Sequence, residues 1–213
     1  MSDLRLCGWF ALACAVLTLA GIAGLDRALA EGIRAAGIAN AAVFVHGLAF
    51  LDRISGIHAW LWTAACIASA LGLAGLAWRG RAQAPLALLT AGIVQFLTLQ
   101  TMILGKQAFG RLRPYEVLDR NDWTHAWFAG GGSFPSGHAA FYFGLLLPLA
   151  AACPRAWQRA ALLAIPVFVG LARMDMEWHF LSDITASALV AALCTMLPAA
   201  IVRARRARTG ARA

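Results

Sequence analysis

Residues 82–105 read AQAPLALLTAGIVQFLTLQTMILG, 24 consecutive positions without a charge. About 20 apolar residues suffice for a helix to cross the hydrocarbon core of a bilayer, and a helix satisfies its backbone polar groups within its own segment. The run ends on Lys106, as a span ends where the chain re-enters water. Comparable stretches recur along the chain at 6–25, 54–78, 136–154 and 184–202. A weaker one at 160–172 lengthens if Trp157 sits in the interface and Arg159 snorkels. The expected fold is therefore all-α, a polytopic membrane bundle of six transmembrane helices. Residues 1–202 form its single membrane domain, and residues 203–213 a basic cytoplasmic tail.

Composition supports this class. The chain of 213 residues is 61% hydrophobic and 13% charged, against about 45–50% and about 25% in soluble domains. Its five cysteines lie in or beside apolar runs with no CxxC pair, so they read as small buried side chains. The net charge of +8 comes from basic residues placed at loops, not along an amphipathic face, so nucleic acid is not an expected partner. Six spans put both termini on one side. That side holds Arg5, Arg79, Arg81, Arg155, Arg159 and the tail arginines, ten of the 18 basic residues, whereas nine of the ten acidic residues fall opposite. The positive-inside rule then makes both termini cytoplasmic and turns the first, third and fifth loops outward. The expected location is a bacterial inner membrane with a periplasmic site. Residues 35–51 are uncharged but contain Asn40 and His46, and read as a helix on the outer interface. Ala28-Leu29-Ala30 resembles a signal-peptidase site, but the preceding apolar run exceeds the usual 7 to about 15 residues, so a retained anchor is expected.

Three polar clusters fall on the third and fifth loops, whose parity places them on one face. The first is Lys106-Gln-Ala-Phe-Gly-Arg-Leu-Arg113-Pro114. If helical through Gly110, seven residues turn the chain about 700° and return Lys106 and Arg113 to one face; snorkelling anchors are the alternative. The second is Gly130-Gly-Gly-Ser-Phe-Pro135-Ser136-Gly137-His138. Ser136 fits an N-cap, and glycines let N–H groups approach an anion at a helix start; a plain turn is the alternative. The third, Arg173-Met-Asp-Met-Glu-Trp-His179-Phe-Leu-Ser-Asp183, sets His179 and Asp183 four apart. On a helix the carboxylate reaches the imidazole Nδ1–H and leaves Nε2 as a lone pair; a structural His–Asp bond is the alternative.

Together the three stretches resemble the signature of the type 2 phosphatidic acid phosphatase superfamily: Lys, six residues, Arg-Pro; Pro-Ser-Gly-His; and Ser-Arg, five residues, His, three residues, Asp. The match runs from Lys106 to Asp183 and departs at Ala172, where the family usually has Ser. The resemblance implies a lipid phosphate phosphatase in which His179 attacks phosphorus, Asp183 stabilises the developing imidazolium, and His138 protonates the leaving oxygen and then activates water. Lys106, Arg113 and Arg173, with Ser136, Gly137 and nearby backbone N–H groups, would hold the phosphate oxygens. No cofactor and no metal are expected. Undecaprenyl diphosphate, phosphatidylglycerol phosphate, lipid A and phosphatidic acid are the candidate substrates, and the membrane is the expected partner. A lipid-to-lipid phosphotransferase would use the same site, and a transporter would need charges inside the spans.

Overall fold

A computed structural model describes residues 4–79 and 83–210, with side chains for 5–78 and 83–197. It is all-α among the described residues. Helix α1 (Leu4–Ala20) passes through a π-helical segment, Gly21–Leu25, into α2 (Asp26–Ala35). The kink falls at Gly24, whose φ of 150° is closed to other residues. There follow α3 (Ala42–Ser55), α4 (Thr63–Arg79), α5 (Gln83–Phe109), the short α6 (Pro114–Arg120), α7 (Gly137–Ala152), α8 (Ala156–Asp175) and α9 (Leu181–Gly210).

Helix α7 is the hub, packed against α5, α8 and α9; α1 lies along α9, α4 along the outside of α5, and α3 against α8. Its burial follows from composition, because GHAAFYFGLLLPLAAA is apolar apart from His138 and Tyr142, both of which bond to Asp52. Small residues set the close approaches. A Cβ on Gly144 would lie 2.9 Å from the Gln95 Cα, and one on Gly92 would meet Ser69 and the Ala65 carbonyl, the packing expected where helices associate without hydrophobic drive. Trp9, Leu12, Val16, Ile67, Leu71 and Trp78 point outward from α1 and α4, as they would toward lipid.

Two helical stretches, Arg5–Ala35 and Gln83–Arg120, are long and apolar enough to cross a membrane; Thr63–Trp78, Gly137–Ala152 and Leu181–Leu197 are shorter apolar helices. The boundaries differ from the sequence expectation in three places. The run at 54–78 is divided, because Gly56 at φ 71° ends α3 and α4 starts only at Thr63. The segment at 35–51, expected as an interfacial helix, holds the end of α2, a turn and the first ten residues of α3, whose 14 residues reach about 21 Å and fall short of a core of about 30 Å. Helix α9 continues to Gly210 with no break at 202. The side chains of Arg79, Arg81 and the tail arginines, on which the charge asymmetry partly rests, lie outside the described residues.

Candidate active site

One cavity of about 850 Å³ collects Lys106, Arg113, His138, Arg173 and His179, with Gly137 in its wall. The route by which Lys106 and Arg113 meet is not the helical one. Helix α5 stops at Phe109, Gly110 turns left-handed at φ 49°, and the chain reaches Arg113 in extended form. Lys106 Nζ donates to the Gly132 carbonyl. The Arg113 guanidinium lies 4.1 Å over the Trp178 ring, and Arg173 lies 4.7 Å from the same ring. Trp178 thus holds both forks by cation–π attraction. Among the described residues, none of these three cations is paired with a carboxylate. Buried Arg173 Nε has no hydrogen-bond partner. Burial, and then Arg113, lower the Lys106 ammonium to about 8. Burial, and then Arg113, bring Arg173 to about 10.

The glycines at 130 and 131 serve chain crossing. Gly131 N–H donates to the Gly110 carbonyl at 2.9 Å and Ser133 N–H to the Arg111 carbonyl at 2.8 Å. A Cβ on Gly131 would sit 2.3 Å from that Arg111 oxygen. Ser136 is the N-cap of α7, its Oγ accepting from Ala139 N–H at 3.4 Å. Its side chain is buried, so Gly137 and not Ser136 lines the cavity.

His179 precedes α9, which begins at Leu181, so it does not share a helical turn with Asp183. A tight turn places it: Glu177 takes φ 54°, and the N–H groups of Trp178 and His179 both donate to the Arg173 carbonyl. Its Nδ1 lies 3.5 Å from Asp183 Oδ2 without an aligned hydrogen bond. The fully buried Asp183 is bound more closely elsewhere. Its Oδ1 accepts from Arg111 Nη1 at 2.7 Å, and its Oδ2 from Ser133 Oγ at 2.5 Å and Phe180 N–H at 2.8 Å. Burial alone would raise the Asp183 carboxyl, but His179, Arg111 and Ser133 hold it below its usual range. Burial, with Arg173 and Lys106 nearby, lowers His179 to about 4 against the opposing pull of Asp183. At neutral pH His179 is therefore an uncharged imidazole on the cavity wall, the protonation state a nucleophile needs.

His138 Nε2 lies 3.1 Å from Asp52 Oδ2. Tyr142 donates to the other oxygen, Oδ1, at 3.2 Å, and lies 3.0 Å from Ser55 Oγ. Asp52 thus offers His138 an orienting carboxylate, which fixes the ring for general acid and base work. Burial would raise the Asp52 carboxyl, but its bonds with His138, His58 and Tyr142 keep it below the usual value.

A family model for the PAP2 superfamily matches residues 82–207. The chain belongs to the PAP2 superfamily. No curated protein and no solved structure matches it. PAP2 membership supports a phosphatase acting on phosphoric esters, and with the two long apolar helices it points to membrane association.

Four residues that matter to this PAP2 site carry no local sequence signal. Asp26 and Asp52 precede the matched region, Arg111 sits among the spacers between Lys106 and Arg113, and Trp178 among those between Arg173 and His179. Arg111, 4% exposed, spans Asp183 and Asp26, donating Nη2 to Asp26 Oδ2 at 2.8 Å. It is enclosed by Trp127 and Phe180 at 4.4 and 4.0 Å. Trp127 covers Arg111, Trp123 packs on Phe180, and His125 is exposed beside Asp122. Asp175 and Glu177 tie the site to the N-terminal third. Asp175 accepts from Ala41 N–H at 2.9 Å, and Glu177 from Arg34 Nε at 3.0 Å.

Proposed function

We propose that the chain is a lipid phosphate phosphatase of the outer face of a bacterial inner membrane, working through a phosphohistidine on His179. The observation that carries this reading is the meeting of three uncompensated cations with an uncharged His179 and an Asp-bound His138 in one cavity. Phosphoryl transfer asks a protein mainly for positioning and charge stabilisation. Lys106, Arg113 and Arg173 supply the charge, and the arginine forks can take phosphate oxygens in pairs. His179 Nε2 forms the P–N bond as the P–O bond to the lipid breaks, and His138 gives the leaving oxygen its proton. Asp183 steadies the transient imidazolium. Water then attacks phosphorus, His138 takes its proton, and phosphate leaves with neutral His179 restored.

The lipid half of the reading rests on the lining from α3, where Val45, Leu48 and Ala49 join Asp52 and Arg53 in the same cavity as the cations. A cavity that combines an anion grip with aliphatic side chains suits an amphiphile. In a six-span arrangement with cytoplasmic termini the cavity would open at the outer interface, where undecaprenyl diphosphate, phosphatidylglycerol phosphate, lipid A and phosphatidic acid all present phosphate. With three fixed cations the reaction needs no metal, so phosphate release should persist in chelator.

The test separates the two histidines. A nitrophenolate leaves without a proton, whereas an alkoxide needs one, and general acid catalysis contributes about 10²- to 10⁴-fold. His138→Ala should therefore form phosphoenzyme from a radiolabelled nitrophenyl phosphate and hydrolyse it slowly, giving an acid-labile, base-stable protein label. His179→Ala should give none. Label on His179→Ala, or equal losses by both variants on aryl and lipid substrates, would overturn the assignment.

A further inference from the structure

His58 is not used by the chemistry above. Its side chain is 72% exposed, yet its Nε2 is turned inward to within 3.1 Å of Asp52 Oδ2, the oxygen that also meets His138 Nε2 at 3.1 Å. Two imidazoles from different parts of the chain, one in the turn after α3 and one in the first turn of α7, therefore converge on one carboxylate oxygen. The three donor atoms lie within 4.8 Å of one another. The carboxylate is oriented from behind, since Tyr142 donates to Oδ1 and is itself anchored on Ser55, leaving Oδ2 to face the rings. That is the outer support which metal-binding carboxylates characteristically have.

We propose that Asp52, His58 and His138 form an inhibitory zinc site in the wall of the catalytic cavity. Zinc takes imidazole nitrogen and carboxylate oxygen at about 2.0–2.2 Å in a tetrahedron, so neighbouring donors stand about 3.3 Å apart. Both Asp–His separations already sit near that edge length, and the exposed His58 ring is free to close the remaining one. Each ring that meets Asp52 through Nε2–H moves that proton to Nδ1 as the metal arrives, so Nε2 offers a lone pair to zinc in place of its N–H···O contact. The fourth position faces the cavity, open to water or a phosphate oxygen. The donor set, two imidazoles and one carboxylate, suits zinc rather than magnesium or calcium, which prefer oxygen. Zinc on Nε2 takes Asp52 away from His138 and fixes the ring as a metal ligand, so it no longer cycles between its protonated and neutral forms, and turnover stops. The inhibitory part rests on the phosphatase reading; the binding part does not.

Purified, metal-free protein in detergent micelles is titrated with Zn²⁺ by calorimetry, and with Co²⁺ as a spectroscopic probe of coordination. One equivalent should bind, with tetrahedral Co²⁺ absorption bands displaced by Zn²⁺, while Mg²⁺ should give neither heat nor displacement. Tyr142→Phe, which removes the outer support, should weaken binding by about 10- to 100-fold. His58→Ala removes a ligand and should weaken it at least as much, keep its phosphate release without zinc, and resist zinc at concentrations that stop the wild type. Absence of stoichiometric binding, or wild-type affinity in His58→Ala, would overturn the site. Binding that leaves wild-type phosphate release unaffected would overturn the inhibition. Tetrahedral bands that vanish in His58→Ala, in a protein that releases phosphate from no lipid, would uphold the site and count against the phosphatase reading alone.

Discussion

Lys106 changes charge within an accessible pH range. Burial and the nearby Arg113 bring its ammonium to about 8, so it is charged below that value and loses its proton as pH rises through it. His179 behaves oppositely at the other end, an uncharged nucleophile above about 4 and a blocked imidazolium below. Since kcat/KM reports the free enzyme, its profile should fall on the alkaline side near pH 8. In Lys106→Arg the limb should move to higher pH, because a guanidinium stays protonated, although a planar fork in place of a point charge lowers the plateau. A wild-type profile flat to pH 10 would show that Lys106 does not grip the substrate. Trp178 holds the other two cations. Each of its contacts with Arg113 and Arg173 is worth about 0.5–2 kcal/mol. Trp178→Ala should lower kcat/KM by roughly tenfold or more, and Trp178→Phe by less. Equal rates in all three proteins would make Trp178 an ordinary interfacial aromatic.

At the scale of elements, the family match starts at residue 82, yet α2 and α3 lie before it and reach the site from outside. Helix α2 brings Asp26, 4% exposed, onto Arg111 and Ser182; α3 brings Asp52 onto His138. Removing one partner of a buried ion pair costs about 3–5 kcal/mol, and a protein of this size loses about 2–4 °C of thermal midpoint per kcal/mol. Asp26→Ala should therefore lower the midpoint in micelles by roughly 10 °C and loosen Asp183. Glu31→Ala, which breaks an exposed pair with Arg27 on the same helix, should lower it by no more than about 1–2 °C. Equal midpoints would show that α2 is not clamped through Asp26. What the sequence displays is local: long apolar periods, Gly and Pro punctuation, and motif residues within a few positions of each other. Helices α5, α7 and α8 and all three motifs were legible on that basis. The Asp26–Arg111 and Asp52–His138 pairs span 85 and 86 residues, and no periodicity announces a pair at such a distance. Gly56 looked like any other glycine in an apolar run until its left-handed φ ended α3. His179 and Asp183 were four apart but not on one helix, because the turn after Arg173 ends on His179 and α9 starts only at Leu181.

For the whole molecule, the arrangement of helices fixes which loops share a face, and the charge distribution proposes which face is outside. Loop three, between α5 and α7 and containing α6, and loop five, between α8 and α9, meet at the cavity. The turn between α7 and α8 lies at the other end of α7. A single cysteine in a cysteine-free background reads the orientation. Gly131 is unsuitable as the outer probe, because a Cβ there would lie 2.3 Å from the Arg111 carbonyl oxygen and force the crossing apart. Ala129 is exposed in the same loop, and Ala156 is exposed at the start of α8. With both termini cytoplasmic, Ala129→Cys should react with a membrane-impermeant thiol reagent given to cells with a permeabilised outer membrane. Ala156→Cys should react only after lysis. Labelling of Ala156→Cys in intact cells with protection of Ala129→Cys would invert the molecule. The cavity would then face the cytoplasm, and the undecaprenyl and lipid A substrates presented on the outer leaflet would be out of its reach. Labelling of both from one side would mean that α7 does not cross the bilayer at all, and the six-span architecture itself would fall.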